Sequence, residues 1–281
     1  MRSPDTFFRR IPTLLGVFSV LVLPPSACTE DAPVGLDEDR DEWRLVWEDQ
    51  FEGPAGQLPS AANWRFDIGT DWGNQQLEFD TDRAENASLD GSGNLAITAR
   101  QEVFQGRPYT SARITTKGLF EPQQGLIEAR MQLPSGQGVW PAFWLLGANI
   151  ETVPWPGCGE IDIMEYRGQE PSVIHGSLHG PGYSGGNPVT SSFYLGNDRF
   201  DKGFHVFSVE WTKNSISWYV DGTRYRTVTR ADLPGEWVFD NPFYIILNVA
   251  VGGSYVGWPS PDTAFPQTML VDWVRVYESG S

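Results

Sequence analysis

The sequence predicts an all-β protein, a sandwich or jelly roll. Three observations lead there. Short runs rich in β-branched and aromatic residues recur along the chain, as in HVFSVEW (His205 to Trp211). Gly, Pro and Asn cluster between such runs, as in HGPGYSGGNP (His179 to Pro188). No long segment repeats its apolar residues with the 3.6-residue period of a helix.

Taken in order, the first residues are not part of that fold. MRSPDTFFRR carries three arginines, IPTLLGVFSVLVL is a short apolar stretch, and PPSAC ends it with small residues. This is the three-part pattern of a secretory signal, assigned to residues 1–27. It is too short for a comfortable membrane span. Ser26 and Ala27 before Cys28 resemble a bacterial lipoprotein cleavage box, although Pro25 replaces the usual aliphatic residue. Two outcomes stay open: lipid attachment at Cys28, or ordinary cleavage near Ala27. The expected location is accordingly secreted or on the bacterial cell envelope, with membrane contact only through such a lipid. Residues 28–42, including TEDAPVGLDEDRDE, are acidic and lack aromatics, as a flexible tether does. The composition shifts at Trp43, and one domain is assigned to 43–281, its last strand ending near Glu278.

Within the domain, GLIEARMQL (Gly125 to Leu133), FYIILNVAV (Phe243 to Val251) and MLVDWVRVYE (Met269 to Glu278) read as strands. Ile216 to Val228 reads as a hairpin turning at Asp221-Gly222. The chain has 281 residues, enough for a full core, and all-β domains of this size are common. The formal net charge is −16. Removing residues 1–27 takes away three Arg and one Asp, so the mature chain would stand at −18. Such a surface argues against nucleic acid and against polyanionic substrates.

GCGEIDIMEY (Gly157 to Tyr166) sets Glu160, Asp162 and Glu165 in an apolar run. Charges rarely sit there unless paired or functional. A helix would point Glu160 and Asp162 about 200° apart. A strand puts both on one face but sends Glu165 to the other. One extra residue, a β-bulge at Met164, returns Glu165 to the acidic face. Ile161, Ile163 and Tyr166 then line the apolar face. With the bulge, the Cα atoms of Glu160 and Glu165 are roughly 13 Å apart at about 3.3 Å per step. Inward-leaning side chains close this to roughly 5 Å, the spacing of retaining glycosidases. The shorter, central Asp162 is placed to hold the charge of a nucleophile. Close like charges raise the pKa of one member, as a general acid requires.

Other chemistries have less support. His175, His179 and His205 show no HExxH or facial-triad spacing, and no transition-metal site is expected. No P-loop is present. Cys158 reads as structural, with a Cys28–Cys158 disulfide as the alternative. Aromatics suit a sugar, whose C–H faces stack on flat rings. Trp140 and Trp144 share a strand face, as core or as stacking platforms. Trp72 with Asn74, and Tyr255 with Trp258, lie in glycine-rich, loop-like settings. His179 is a site candidate, His205 opens a strand, and His175 is unassigned.

GEIDIMEY, with WPAFWLLG upstream and SLHGPGYSGG downstream, resembles family 16 glycoside hydrolases in their laminarinase-like branch. VEWTKNSISWYVDG, PFYIILNVAVGG and FPQTMLVDWVRVYE follow in the family's order. The resemblance runs from about Trp43 to Glu278. It implies a jelly roll of two curved antiparallel sheets with a cleft on the concave face, and retaining hydrolysis. By it, Glu160 matches the nucleophile, Asp162 the assisting acid and Glu165 the acid/base. Asn74, Arg113, Trp140, Trp144 and His179 match cleft positions, and Trp258 joins the substrate-binding set. No cofactor is implied for catalysis. A structural Ca²⁺ is implied at Asp272, with Glu48 and Gly93 as further ligands. Two departures stand out. GGSYVGWPS replaces the family's GGNWPG at the cleft border, and WEDQF replaces WSDEF on the calcium side. The expected activity is a monomeric endo-β-1,3-glucanase on laminarin-type β-glucan, with mixed β-1,3/1,4-glucan as a secondary substrate. The alternatives are an agar-type galactan hydrolase of the same family and a non-catalytic, lectin-like glucan-binding protein.

Overall fold

The computed structural model describes residues 43–280, together with Met1. The expected signal beyond Met1, the tether and Cys28 lie outside the described residues. Among the described residues the regular secondary structure is almost entirely strand, with short 3₁₀ turns at Ala148–Glu151 and Arg230–Asp232. Two sheets form, of seven and ten strands, and this is a jelly roll. All pairings are antiparallel except that of Glu78–Asp80 with Arg107–Ser111.

The seven-stranded sheet runs Val189–Tyr194, Val173–His179, Glu160–Tyr166, Val139–Gly147, Phe243–Val251, Arg113–Thr115, Arg65–Phe66. The larger sheet is centred on Gly125–Gln132 and Gln267–Ser279. Strands expected at 205–211 and 243–251 are found with those bounds. The hairpin turns where expected. Asp221 and Gly222 have φ of 47° and 74°, the paired positive values that a tight two-residue turn requires. The Asp221 carboxylate also accepts from the Val206 amide at 2.8 Å and meets His205 Nδ1 at 2.7 Å. His205 is therefore part of the hairpin's framework.

The core lies between the sheets. Ile161, Ile163, Met164 and Tyr166 of the acidic strand are buried there with Phe207, Trp218, Val274 and Val276 of the opposing sheet. Each large apolar side chain so buried contributes about 1.5–3 kcal/mol. The inward face of the acidic strand thus anchors it, which leaves its other face free to carry charge.

Candidate active site

The acidic strand is bulged where the carboxylate spacing requires it. Against Val139–Gly147 its register shifts between Asp162 and Met164, and against Val173–His179 between Asp162 and Glu165. Glu160, Asp162 and Glu165 consequently share one face and line one cleft of about 1090 Å³. Met164, the inserted residue, is buried on the core side.

The bulge frees a backbone group, and the opposing sheet satisfies it. Trp218 Nε1 donates to the Asp162 carbonyl at 2.8 Å. Gly176 makes room for this reach. A Cβ there would stand 2.6 Å from the Trp218 ring and 2.5 Å from the Tyr225 hydroxyl.

Each acid has its own surroundings. Glu160 Oε2 accepts from Trp155 Nε1 at 2.8 Å, and its Oε1 lies 3.6 Å from His179 Nε2. Asp162 is 3 % exposed, and its Oδ2 lies 3.1 Å from the same nitrogen. His179 Nδ1 accepts from the Gly185 amide at 3.2 Å, so the ring proton sits on Nε2 and faces both carboxylates. Glu165 Oε2 accepts from the Ser177 hydroxyl at 3.4 Å.

Burial, then the charge of Asp162, pushes the Glu160 carboxyl up to about 8, while His179, the Trp155 N–H and Arg113 oppose the rise. Burial pushes Asp162 up to about 8. Glu165 is raised well above the carboxylate range by burial and then by the charges of Asp162 and Glu160. The three acids cannot all ionise. Charge on either Asp162 or Glu160 acts to keep the proton on Glu165.

Tryptophans and one arginine build the wall beyond the acids. The Arg113 guanidinium lies 4.8 Å from the Trp72 ring and 4.8 Å from the Trp144 ring. Its Nε donates to Asp67 at 2.9 Å. Trp144 Nε1 donates to Asn248, and Trp72 Nε1 to the buried Asp80, each at 2.8 Å. Asn74, Arg113, Trp140, Trp144 and His179 all line the cleft.

Trp258 does not. It is 52 % exposed and outside the lining. The altered loop puts Tyr255 in the cleft instead, its ring 4.7 Å from Trp140 and beneath Arg167 at 4.3 Å. Val256 is buried against Trp140 and fixes the loop, which carries Trp258 past the rim. Trp258 therefore stands outside the enclosed part of the cleft, and a binding role for it is a proposal.

Other residues went unforeseen. Trp155, on the loop before the acids, reaches Glu160. Its signal was an aromatic five positions upstream in WPGCGE. Asp67, Arg167, His175, Ser177, Tyr244 and Asn248 also line the cleft, and local sequence gave no sign of most of them. Cys158 is buried with a free thiol pushed up to about 11 by burial and by Glu160, as suits a structural cysteine.

Two groups of carboxylates bear on metal binding. Side-chain ligand atoms of Glu160, Asp162 and His179 lie within 4.8 Å of one another. The proton on His179 Nε2, however, leaves no lone pair there for a cation. At the expected calcium site, Asp272 is ion-paired with Arg130 and Glu48 with Arg275. Glu48 pairs across the strands with Arg275, three residues along from Asp272. Both carboxylates are answered by guanidinium groups. A Ca²⁺ held by these carboxylates would have to compete with both guanidinium groups.

The geometry agrees with comparisons to known proteins. Residues 69–275 match the model for glycosyl hydrolases family 16. A beta-glucanase of Rhodothermus marinus is 42% identical over 248 residues, 84% of this chain and 85% of the relative. The structure of the endo-beta-1,3-glucanase from Pyrococcus furiosus is similar at a TM-score of 0.81 and 46% identity, covering 85% of this chain and 95% of that one. The laminarinase catalytic domain from Thermotoga maritima matches at a TM-score of 0.81 and 45% identity, covering 85% of this chain and all of that one. On the extent of these matches, with the acids on one bulged strand, the chain belongs to glycosyl hydrolase family 16.

Proposed function

We propose that this protein is an endo-β-1,3-glucanase that cleaves internal bonds of laminarin-type glucans with retention of configuration. The observation that carries this reading is the bulge, which sets Glu160, Asp162 and Glu165 on one cleft face. The beta-1,3-glucanase and laminarinase names of the similar structures support the substrate class.

In the first step Glu160 attacks the anomeric carbon. The bond to the leaving oxygen breaks, and Glu165 gives that oxygen its proton. A glycosyl ester on Glu160 results, and the departing glucan leaves as an alcohol. With Glu160 esterified, one of the charges that raised the pKa of Glu165 is gone. Glu165 can now take a proton from water, which displaces the ester from the same face of the sugar. Asp162, held beside His179, steadies Glu160 in both steps. The Trp155 N–H stabilises the Glu160 carboxylate before attack and when it is released.

The test is the anomeric configuration of azide products. Glu165→Ala should still form the ester from an aryl β-glycoside and give a β-glycosyl azide. Glu160→Ala should give an α-glycosyl azide from an activated β-substrate. Reversed configurations would exchange the two roles. Cleavage of agarose with none of laminarin would overturn the substrate class.

For the segments outside the described residues, we propose lipid attachment at Cys28 and a tether over 29–42. Mass spectrometry of the mature N-terminus tests this. An unmodified N-terminus at or after Cys28 refutes it.

A further inference from the structure

The cleft-bearing sheet ends at the strand Val189–Tyr194, which has no neighbour on its outer side in that sheet. Its side chains alternate cleanly. Val189 and Phe193 pack against the core. Thr190 lines the cleft, and Ser192 Oγ lies 3.0 Å from His175 Nδ1. Tyr194 is next on that same cleft-side face, since residues two apart share a face. It is 71 % exposed, the most exposed aromatic side chain among the described residues.

Register fixes where this ring stands. Glu165 is paired with His175, and His175 with Ser192. One rung further on, Val173 is paired with Tyr194. Arg167 follows immediately after the pair Tyr166–Ile174, at the level of that rung. Two strand spacings of about 4.8 Å and one rung of about 6.7 Å place the Tyr194 Cα roughly 12 Å from that of Glu165. The cleft floor therefore continues past its enclosed part, on the side of Glu165 and away from the Trp72–Arg113–Trp144 wall. Tyr194 is the aromatic ring on that extension.

We propose that Tyr194 is an outlying sugar-binding subsite for the leaving-side segment of the glucan chain. The inference rests on the hydrolase reading above, in which Glu165 protonates the leaving oxygen. A glucan emerging past Glu165 runs over His175 and Ser192 and meets Tyr194 next. The occupant is thus the continuing chain of neutral β-linked glucose. Its C–H face covers the exposed ring, and its hydroxyls reach the neighbouring polar side chains.

The experiment compares Tyr194→Ser and Tyr194→Phe on two substrates. One is long-chain laminarin. The other is an aryl β-laminaribioside, whose phenol leaving group places no sugar beyond Glu165. Loss of one aromatic contact corresponds to about a three- to tenfold drop in kcat/KM. Tyr194→Ser should show that drop on laminarin and none on the aryl substrate, while Tyr194→Phe keeps wild-type values on both. Unchanged laminarin cleavage by Tyr194→Ser overturns the subsite, as does an equal loss on both substrates. A wild-type protein inert on both overturns the hydrolase reading itself, and the subsite with it.

Discussion

The indole of Trp218 reaches across the core and donates a hydrogen bond to the backbone carbonyl of Asp162 at 2.8 Å. This joins the catalytic bulge to the opposite sheet. A bulge disrupts the ladder locally, and a buried carbonyl left without a partner costs about 1–3 kcal/mol. Trp218→Phe keeps most of the bulk and loses the donor. It should lower the melting temperature by on the order of 2–4 °C per kcal/mol lost. Activity should fall further than stability explains, because the spacing of Glu160 and Glu165 depends on the bulge. Calorimetry with kinetics below the transition checks both. Unchanged kcat would show that the bulge holds without this bond.

Trp155 donates to Glu160 Oε2 at 2.8 Å and is among the influences that lower the pKa of that carboxyl. Removing the donor should raise it. In Trp155→Phe the acidic limb of the kcat/KM profile should move to higher pH, and kcat should fall by roughly ten- to a hundredfold, in keeping with one charge-assisted bond of about 1.5–3 kcal/mol. A profile with an unmoved acidic limb would assign Trp155 to substrate packing alone.

Asp80 is buried and fixes Trp72, whose ring covers Arg113. Asp80→Ala should let the indole swing and raise KM for laminarin several-fold with little change in kcat. Asp80→Asn keeps an acceptor oxygen and should recover most of the loss. Equal KM in both variants and wild type would show that Trp72 is placed by its loop.

Glu78 is buried, and burial raises its carboxyl from the ordinary range to about 7. Its Oε2 accepts from the Val251 amide at 2.8 Å. The native state therefore holds this proton at pH values where the unfolded chain has released it. The associated stability is full below about pH 4.5 and is lost as pH rises through about 7. Glu78→Gln keeps the acceptor and removes the titration. Its melting temperature should decline less than that of wild type between those limits. Parallel pH curves for the two proteins would mean that Glu78 is ionised in the native state.

Much of this protein was legible in its sequence because the signals are local. Alternation and turn residues gave the strands at 205–211 and 243–251 and the turn at Asp221-Gly222. The i, i+2, i+5 spacing of Glu160, Asp162 and Glu165 required a bulged strand, since no other backbone puts the three on one face. Tertiary structure decided what depends on distant segments meeting. Trp218 is 56 positions from Asp162, and Arg113 meets Trp72 and Trp144 from another strand. Within one loop, composition nominated Trp258, but the packing of Val256 against Trp140 turned Tyr255 inward and Trp258 out. At Glu48 and Asp272 the carboxylates were foreseen, whereas the arginines that answer them lie on paired strands. A chain's own spacing fixes which side chains share a face. What they touch across the cleft is set by how sheets and loops pack, which is a property of the whole fold.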